Sequence, residues 1–287
     1  VIRIGEKEYV MDYTHPQKYV PEKSASQTGP QMAALLGWNK WLLVAISCLV
    51  GVGVWYLVTW WGDFPAFILP PPQLVLQRLG QALGDGTLIR HTAVTLGEVL
   101  AGLGLGVVVA TLLGYLLAKS PQVERLLAPY IVASQSVPVV AIAPLLVIWF
   151  GPGLLSKVLI CALIVFFPVL VNIVVGLRSV SKDLRDLMRS LRATRWQMLV
   201  HLEIPAALPV LLGGLRIGAT LSVIGAVVGE YVGADRGLGF LINVGRGQYD
   251  TALVFVAIFA LVAMALTLYG LVVHLENRLL AWNRVEH

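Results

Sequence analysis

Six stretches of about 20 residues with almost no charge dominate this chain and limit what it can fold into. They run Trp41 to Trp60, Thr92 to Ala118, Leu126 to Trp149, Val158 to Leu177, Ala206 to Val232 and Ala252 to His274; within them only Glu98, Arg216 and Glu230 are charged. At 1.5 Å of rise per residue, about 20 residues cross the roughly 30 Å hydrocarbon layer of a bilayer. The runs are continuously apolar instead of alternating, so each satisfies its backbone as a helix and not as a barrel strand. Over 287 residues, 57% are hydrophobic and 13% charged, too little polar surface to coat a soluble globule of this size. The expected fold is an all-α membrane protein with six transmembrane helices.

Positive loops stay on the cytoplasmic side of a membrane. With the N-terminus inside, fifteen of the 21 Lys and Arg fall on cytoplasmic segments, five (Arg78, Arg90, Lys157, Arg236 and Arg246) fall outside, and Arg216 lies within a span. Both termini are therefore expected in the cytoplasm. The net charge of +5 follows from this topology and gives no reason to invoke nucleic acid. Residues 1–40, with Pro16, Pro21, Pro30 and mixed charges, read as a cytoplasmic tail without the apolar core of a cleavable leader, so the first span directs insertion. Residues 41–277 form the membrane domain and 278–287 a second tail. Cys48 and Cys161 both lie in apolar runs and read as packing residues, not as a disulfide or a metal site.

Between the first two spans, Val75, Leu76, Leu79 and Leu83 recur at helical spacing after Pro70-Pro71-Pro72, with Gln73, Gln77, Arg78 and Gln81 between them, as in an amphipathic helix on the outer face. Span two carries Gly102, Gly106, Ala110 and Gly114 at four-residue steps, and span five carries Gly225, Gly229 and Gly233. Such ridges let helices approach closely, either inside one subunit or at a moving interface. Span three holds Pro129, Pro138 and Pro144, with Ser134, Gln135 and Ser136 beside the central proline. A helix broken among polar side chains either kinks against a neighbour or lines a pathway. Pro168 and Asn172 in span four add to that candidate pathway.

Spans four and five are joined by about 30 residues, Arg178 to Pro205, far more than a turn requires. Within this loop Leu184, Leu187, Met188 and Leu191 recur at i, i+3, i+4 and i+7, while Asp183, Arg185, Asp186, Arg189 and Arg192 occupy the other faces. That pattern predicts an amphipathic helix in water. On the residues alone it could rest on the membrane surface or grip a protein partner.

The run from Asp186 through Arg192 and Ala193, followed by Ile204-Pro205-Ala206-Ala207-Leu208-Pro209, resembles the Glu-Ala-Ala loop of ABC importer permeases. Asp186 stands at the acidic position, Leu187 and Met188 where that family has two alanines, Arg192 where it has a glycine, and Ile204-Pro205 at the closing pair. Further resemblance lies in Ile68-Leu69-Pro70-Pro71-Pro72, Ile142-Ala143-Pro144-Leu145-Leu146, Trp149-Phe150-Gly151, Ser156-Lys157, Phe166-Phe167-Pro168, Gly214-Leu215-Arg216, Gly229-Glu230 and Gly237-Leu238-Gly239, a likeness that gives these residues no individual role. These segments are similar to the permease group serving nitrate, taurine, aliphatic sulfonates and bicarbonate, which includes permeases for thiamine pyrimidine precursors and riboflavin. The segment from Ser136 to Pro144 is closer to the vitamin and pyrimidine-precursor branch. The resemblance implies the type I importer fold, with a coupling helix between helices four and five. It also implies a bacterial inner-membrane permease that pairs with a second copy, two cytoplasmic ATPase subunits that bind and hydrolyse ATP, and an external solute-binding protein. Leu184, Asp186, Leu187, Met188, Ser190, Leu191, Arg192, Ala193 and Pro205 would then form the docking segment.

Charged residues inside apolar runs are costly and should face protein or water. Glu98 and Glu230, both near the outer ends of their spans, are candidates for pairing within the protein or for gating the pathway; Arg216 is expected to serve structure. No nucleophile–base pair, metal-ligand spacing or Walker-type glycine loop occurs, and His15, His91, His201, His274 and His287 are scattered. Neither an enzyme nor a cofactor site is therefore expected. An ion-coupled secondary transporter would show midplane acids and inverted repeats, which this sequence does not present clearly.

Overall fold

A computed structural model describes residues 2–4, 7–9 and 40–280. The expected cytoplasmic roles of the two tails rest mostly on residues outside that set. Residues Val1–Gly53 and Val54–His287 are separate units. The first contains β1 (Ile2–Ile4), paired antiparallel with β2 (Lys7–Tyr9), and most of α1 (Lys40–Trp61).

The second unit is helical among the described residues: α2 (Pro72–Gly84), α3 (Thr87–Lys119), α4 (Pro121–Gln135), α5 (Val139–Phe150), α6 (Leu154–Arg178), α7 (Lys182–Ser190), α8 (Arg195–Met198), a π-turn (Leu199–Glu203), α9 (Ile204–Gly233), α10 (Leu238–Gly247) and α11 (Thr251–Leu279). Among the described residues, five helices are long and apolar enough to cross a membrane, or six when α4 and α5 count as one broken span. They coincide with the six apolar runs.

At the centre stands α6, packed along α3 on one side and α9 on the other. Both small-residue ridges explain the closeness. Gly102, Gly106, Ala110 and Gly114 are all buried on α3, where they meet Cys161, Ala162, Val165 and Ile173 of α6. On α9, a Cβ at Gly225 would sit 2.7 Å from the Cys161 backbone, so only glycine fits that crossing. Both ridges thus pack within the chain, Gly233 meeting Val147 of α5 instead of α6.

The contacts of α3 with α6 advance together along both sequences, so these helices run parallel, whereas Gly214 meets Asn172 and Gly229 meets Lys157, which makes α9 antiparallel to α6. Parallel neighbours require the chain between them to return across the layer, and α4 and α5 perform that return. Their axes differ by 95°. Pro138 has no N–H and drives Val137 out of the helical region, so the run from Leu126 to Trp149 is two helices instead of one. At the break, Ser134 Oγ donates to Ile131 O (2.8 Å) and Ser136 Oγ to Val132 O (3.5 Å), satisfying carbonyls there.

The end of this bundle that carries α7 is here the loop end, and the opposite one the far end. At the far end α2 is pinned by Arg78 Nε on Asp250 Oδ2 (2.7 Å), while Asp250 Oδ1 accepts from Leu253 N–H and caps α11. Arg216 pairs with Glu276 of α11 and lies over the Tyr269 ring, the structural role expected of it.

Candidate functional site

The loop helix is built by local rules. Ser181 caps α7 by accepting from Leu184 N–H (3.4 Å), and Asp183 in the first turn with Arg189 in the last complements the helix dipole. At its C-terminus Ala193 N–H reaches Met188 O (3.0 Å) and Arg192 N–H reaches Arg189 O (2.9 Å), the paired bonds of a Schellman cap. That cap needs a left-handed residue, and Arg192 supplies it with φ +53°. The position aligned with a glycine in sequence is therefore one whose backbone favours glycine, here filled by arginine. Two residues later Thr194 and Gln197 form a reciprocal capping box that starts α8 (3.2 and 2.8 Å).

Several apolar side chains along this segment lie open among the described residues. Leu184, Leu187, Leu191 and Trp196 are 47, 54, 69 and 71% exposed, while Met188, Ala193 and Pro205 are half-buried. The polar members are tied locally: Asp186 pairs with Arg189 (2.9 Å), and Ser190 Oγ donates to Leu187 O (2.7 Å). Arg185 anchors the helix to the bundle through Leu177 O (2.6 Å). Leu191, the last member of the sequence pattern, is the C-cap and not a helical residue.

The far end holds a buried charged cluster on three helices. Glu98 of α3, Glu230 of α9 and Lys157 of α6 are 1, 0 and 3% exposed. Lys157 Nζ lies 3.5 Å from Glu98 Oε1, and its stem packs on Gly229, next to Glu230. Glu230 accepts from Thr95 Oγ1 (2.6 Å) and from Gly239 N–H (2.5 Å). The turn into α10 is thereby wrapped round the carboxylate. Gly237, at φ +110°, has no room for a side chain beside it. The same turn is tied to α3, with Gly237 N–H donating to His91 Nδ1 (2.9 Å) and Leu238 N–H to Thr95 Oγ1 (2.8 Å).

Glu98 and Glu230 thus converge, whereas Ser134, Gln135 and Ser136 lie exposed at the α4–α5 break. Asn172 is half-buried under Gly214, its amide donating to Pro168 O (2.8 Å). Sequence reasoning missed Lys157, which it counted as a loop cation, and Thr95 and His91. The available signal was charge balance: two acids near one end of the bundle need a cation at that end, and Lys157 stands at the edge of a run there.

A family model described as the inner membrane component of binding-protein-dependent transport systems matches residues 102–281. The chain is 49% identical over 219 residues to the riboflavin transport system permease protein RibX of Chloroflexus aurantiacus, covering 76% of this chain and 82% of that one. It is 38% identical to the formylaminopyrimidine transport permease protein ThiX of Halalkalibacterium halodurans, with 76 and 87% coverage. Among solved structures, a chain of the MetNI methionine ABC transporter in inward facing conformations shares the fold, with a TM-score of 0.60 at 18% identity over 68% of this chain and 97% of that one.

Proposed function

Since this chain belongs to the family of binding-protein-dependent transport inner-membrane components, we propose that it is the pathway-forming subunit of an ATP-driven importer, driven through its α7 loop. As an ABC permease component it is a membrane transport protein and not an enzyme. Two copies would form the pathway, two cytoplasmic ATPase subunits would bind and hydrolyse ATP, and an external binding protein would deliver the solute. Residues 41–277 form the membrane domain in this reading, with the loop 178–205 and both termini in the cytoplasm, as the fifteen-to-five distribution of cations supports.

One observation carries the coupling assignment: Leu184, Leu187 and Leu191 stand exposed on a short, doubly capped helix. A stiff amphipathic element anchored at both ends passes on rigid-body motion, whereas a flexible loop would absorb it. Leu184, Leu187 and Leu191 would enter an apolar groove of the ATPase, with Asp186, Met188, Ser190, Arg192 and Ala193 at its rim and Pro205 starting the driven helix. Ser134, Gln135, Ser136, Asn172, Glu98 and Glu230 are the pathway or gating candidates, Glu230 also holding the far-end turn. The similarity to riboflavin and formylaminopyrimidine permeases supports a vitamin or pyrimidine precursor as solute over nitrate, taurine or a sulfonate.

Co-expression of the full chain with the ATPase subunit tests this reading. The two should purify together, and proteoliposomes of the complete system should take up riboflavin or a pyrimidine precursor when ATP is supplied. Purification of the chain alone, with solute uptake driven by an ion gradient, would instead support a secondary transporter.

A further inference from the structure

From the loop end a single helical rod, Arg195–Gly233, runs to the far end and includes α8, the π-turn and α9. Its start follows the Arg192 cap by three residues, and its last turns carry Glu230. Besides Pro205 and Pro209, the rod carries a π-turn at Leu199–Glu203, where Ile204 N–H bonds to Leu199 O five residues back. A π-turn inserts one residue into the helix, and one residue turns a side chain by roughly 100° about the axis. Here the insertion leaves Trp196 71% exposed while Glu203 is only 1% exposed.

Glu203 Oε1 accepts from Lys119 Nζ at 2.5 Å, and Lys119 is the last residue of α3. Its second oxygen, Oε2, is buried with no hydrogen-bond partner among the described residues. A buried carboxylate held by one cation is costly to keep and more costly to separate from that cation. The pair joins the rod to the end of α3, the helix that carries Thr95, His91 and Glu98 at the far end.

We infer that Lys119 and Glu203 are positioning residues that join the loop-driven rod to α3, so that movement of the loop helix shifts both helices gripping the far-end turn together. This rests on the proposal that α7 receives motion from an ATPase. Arg185 on Leu177 O anchors the loop to α6, and Arg178 at its start donates to Leu117 O of α3 (3.2 Å) and pairs with Glu124 of α4. A loop held at several places moves the helices instead of swinging.

The test uses the assembled complex of full-length chain and ATPase with Cys48→Ala in the background and Ser136→Cys as reporter, following ATP hydrolysis and maleimide labelling of that cysteine with and without ATP. Lys119→Arg, which keeps the ion pair, should retain the ATP-dependent change in labelling. Lys119→Met/Glu203→Gln, which removes both charges and leaves none buried alone, should assemble and hydrolyse ATP but lose that change. If the double variant responds to ATP as the parent does, the pair serves folding alone and the inference fails. Should Lys119→Met by itself fail to fold, the double variant still decides. If the parent complex never assembles, or hydrolyses ATP without any change at Ser136→Cys, the reading of α7 fails instead.

Discussion

The two charged regions of this protein are opposites in how they treat their own side chains. At the far end, Glu98, Lys157 and Glu230 are almost fully buried, and the donors of Thr95 and Gly239 meet the Glu230 carboxylate. At the loop end, α7 leaves three leucines and a tryptophan nearby in the open and keeps its charges other than Arg185 at the surface. Buried ionic groups constrain the arrangement around them, because any rearrangement strands a charge. Exposed apolar groups on a short capped helix contribute little to the chain that bears them and are available to a partner. The difference separates a region that holds the bundle together from one that waits for another protein.

Lys157→Met should have the largest effect, because it leaves two carboxylates in a dry site without a cation. A loss of about 3–5 kcal/mol is expected, read as failure to accumulate or a large fall in melting temperature. Glu230→Ala comes next: it strands the Gly239 N–H and the Thr95 hydroxyl, at about 1–3 kcal/mol, and should loosen α10 enough to raise amide exchange between residues 237 and 247. A smaller change of opposite sign follows from Arg192→Gly, which relieves a left-handed arginine and should stabilise the chain by about 0.5–1 kcal/mol without altering helix content. Least affected in stability is Leu187→Asp/Leu191→Asp, expected within about 0.5 kcal/mol of the parent because both side chains already face solvent. If that last variant unfolded the protein, the two regions would not differ as described.

Much of this was readable from the chain itself, and the failures have physical causes. The helix α7 was legible because apolar residues at i, i+3, i+4 and i+7 in a charged loop line one face of a helix, whereas on a strand they would scatter over both faces. Pro138 announced a break, but not its 95° angle, since α4 and α5 continue through Pro129 and Pro144. Lys157 read as a loop cation because hydropathy stops at the first charge and cannot tell that the helix extends past it to Leu154. Glu203 was silent for a different reason: a π-turn leaves no local pattern, and the partner of Glu203 lies 84 residues away. Arg192 was placed at the family's glycine by alignment alone, yet its left-handed backbone came only from structure.

The most direct measurement is the reactivity of Leu187→Cys toward a water-soluble maleimide, in full-length chain with Cys48→Ala, before and after the ATPase subunit is added. The expected result is rapid labelling of the chain alone in its membrane and strong protection once the ATPase binds. Protection already present without the ATPase would put the leucine face against lipid, and labelling unchanged by the ATPase would leave α7 free of it. Either outcome would contradict the assignment of this helix as the point where the motor takes hold.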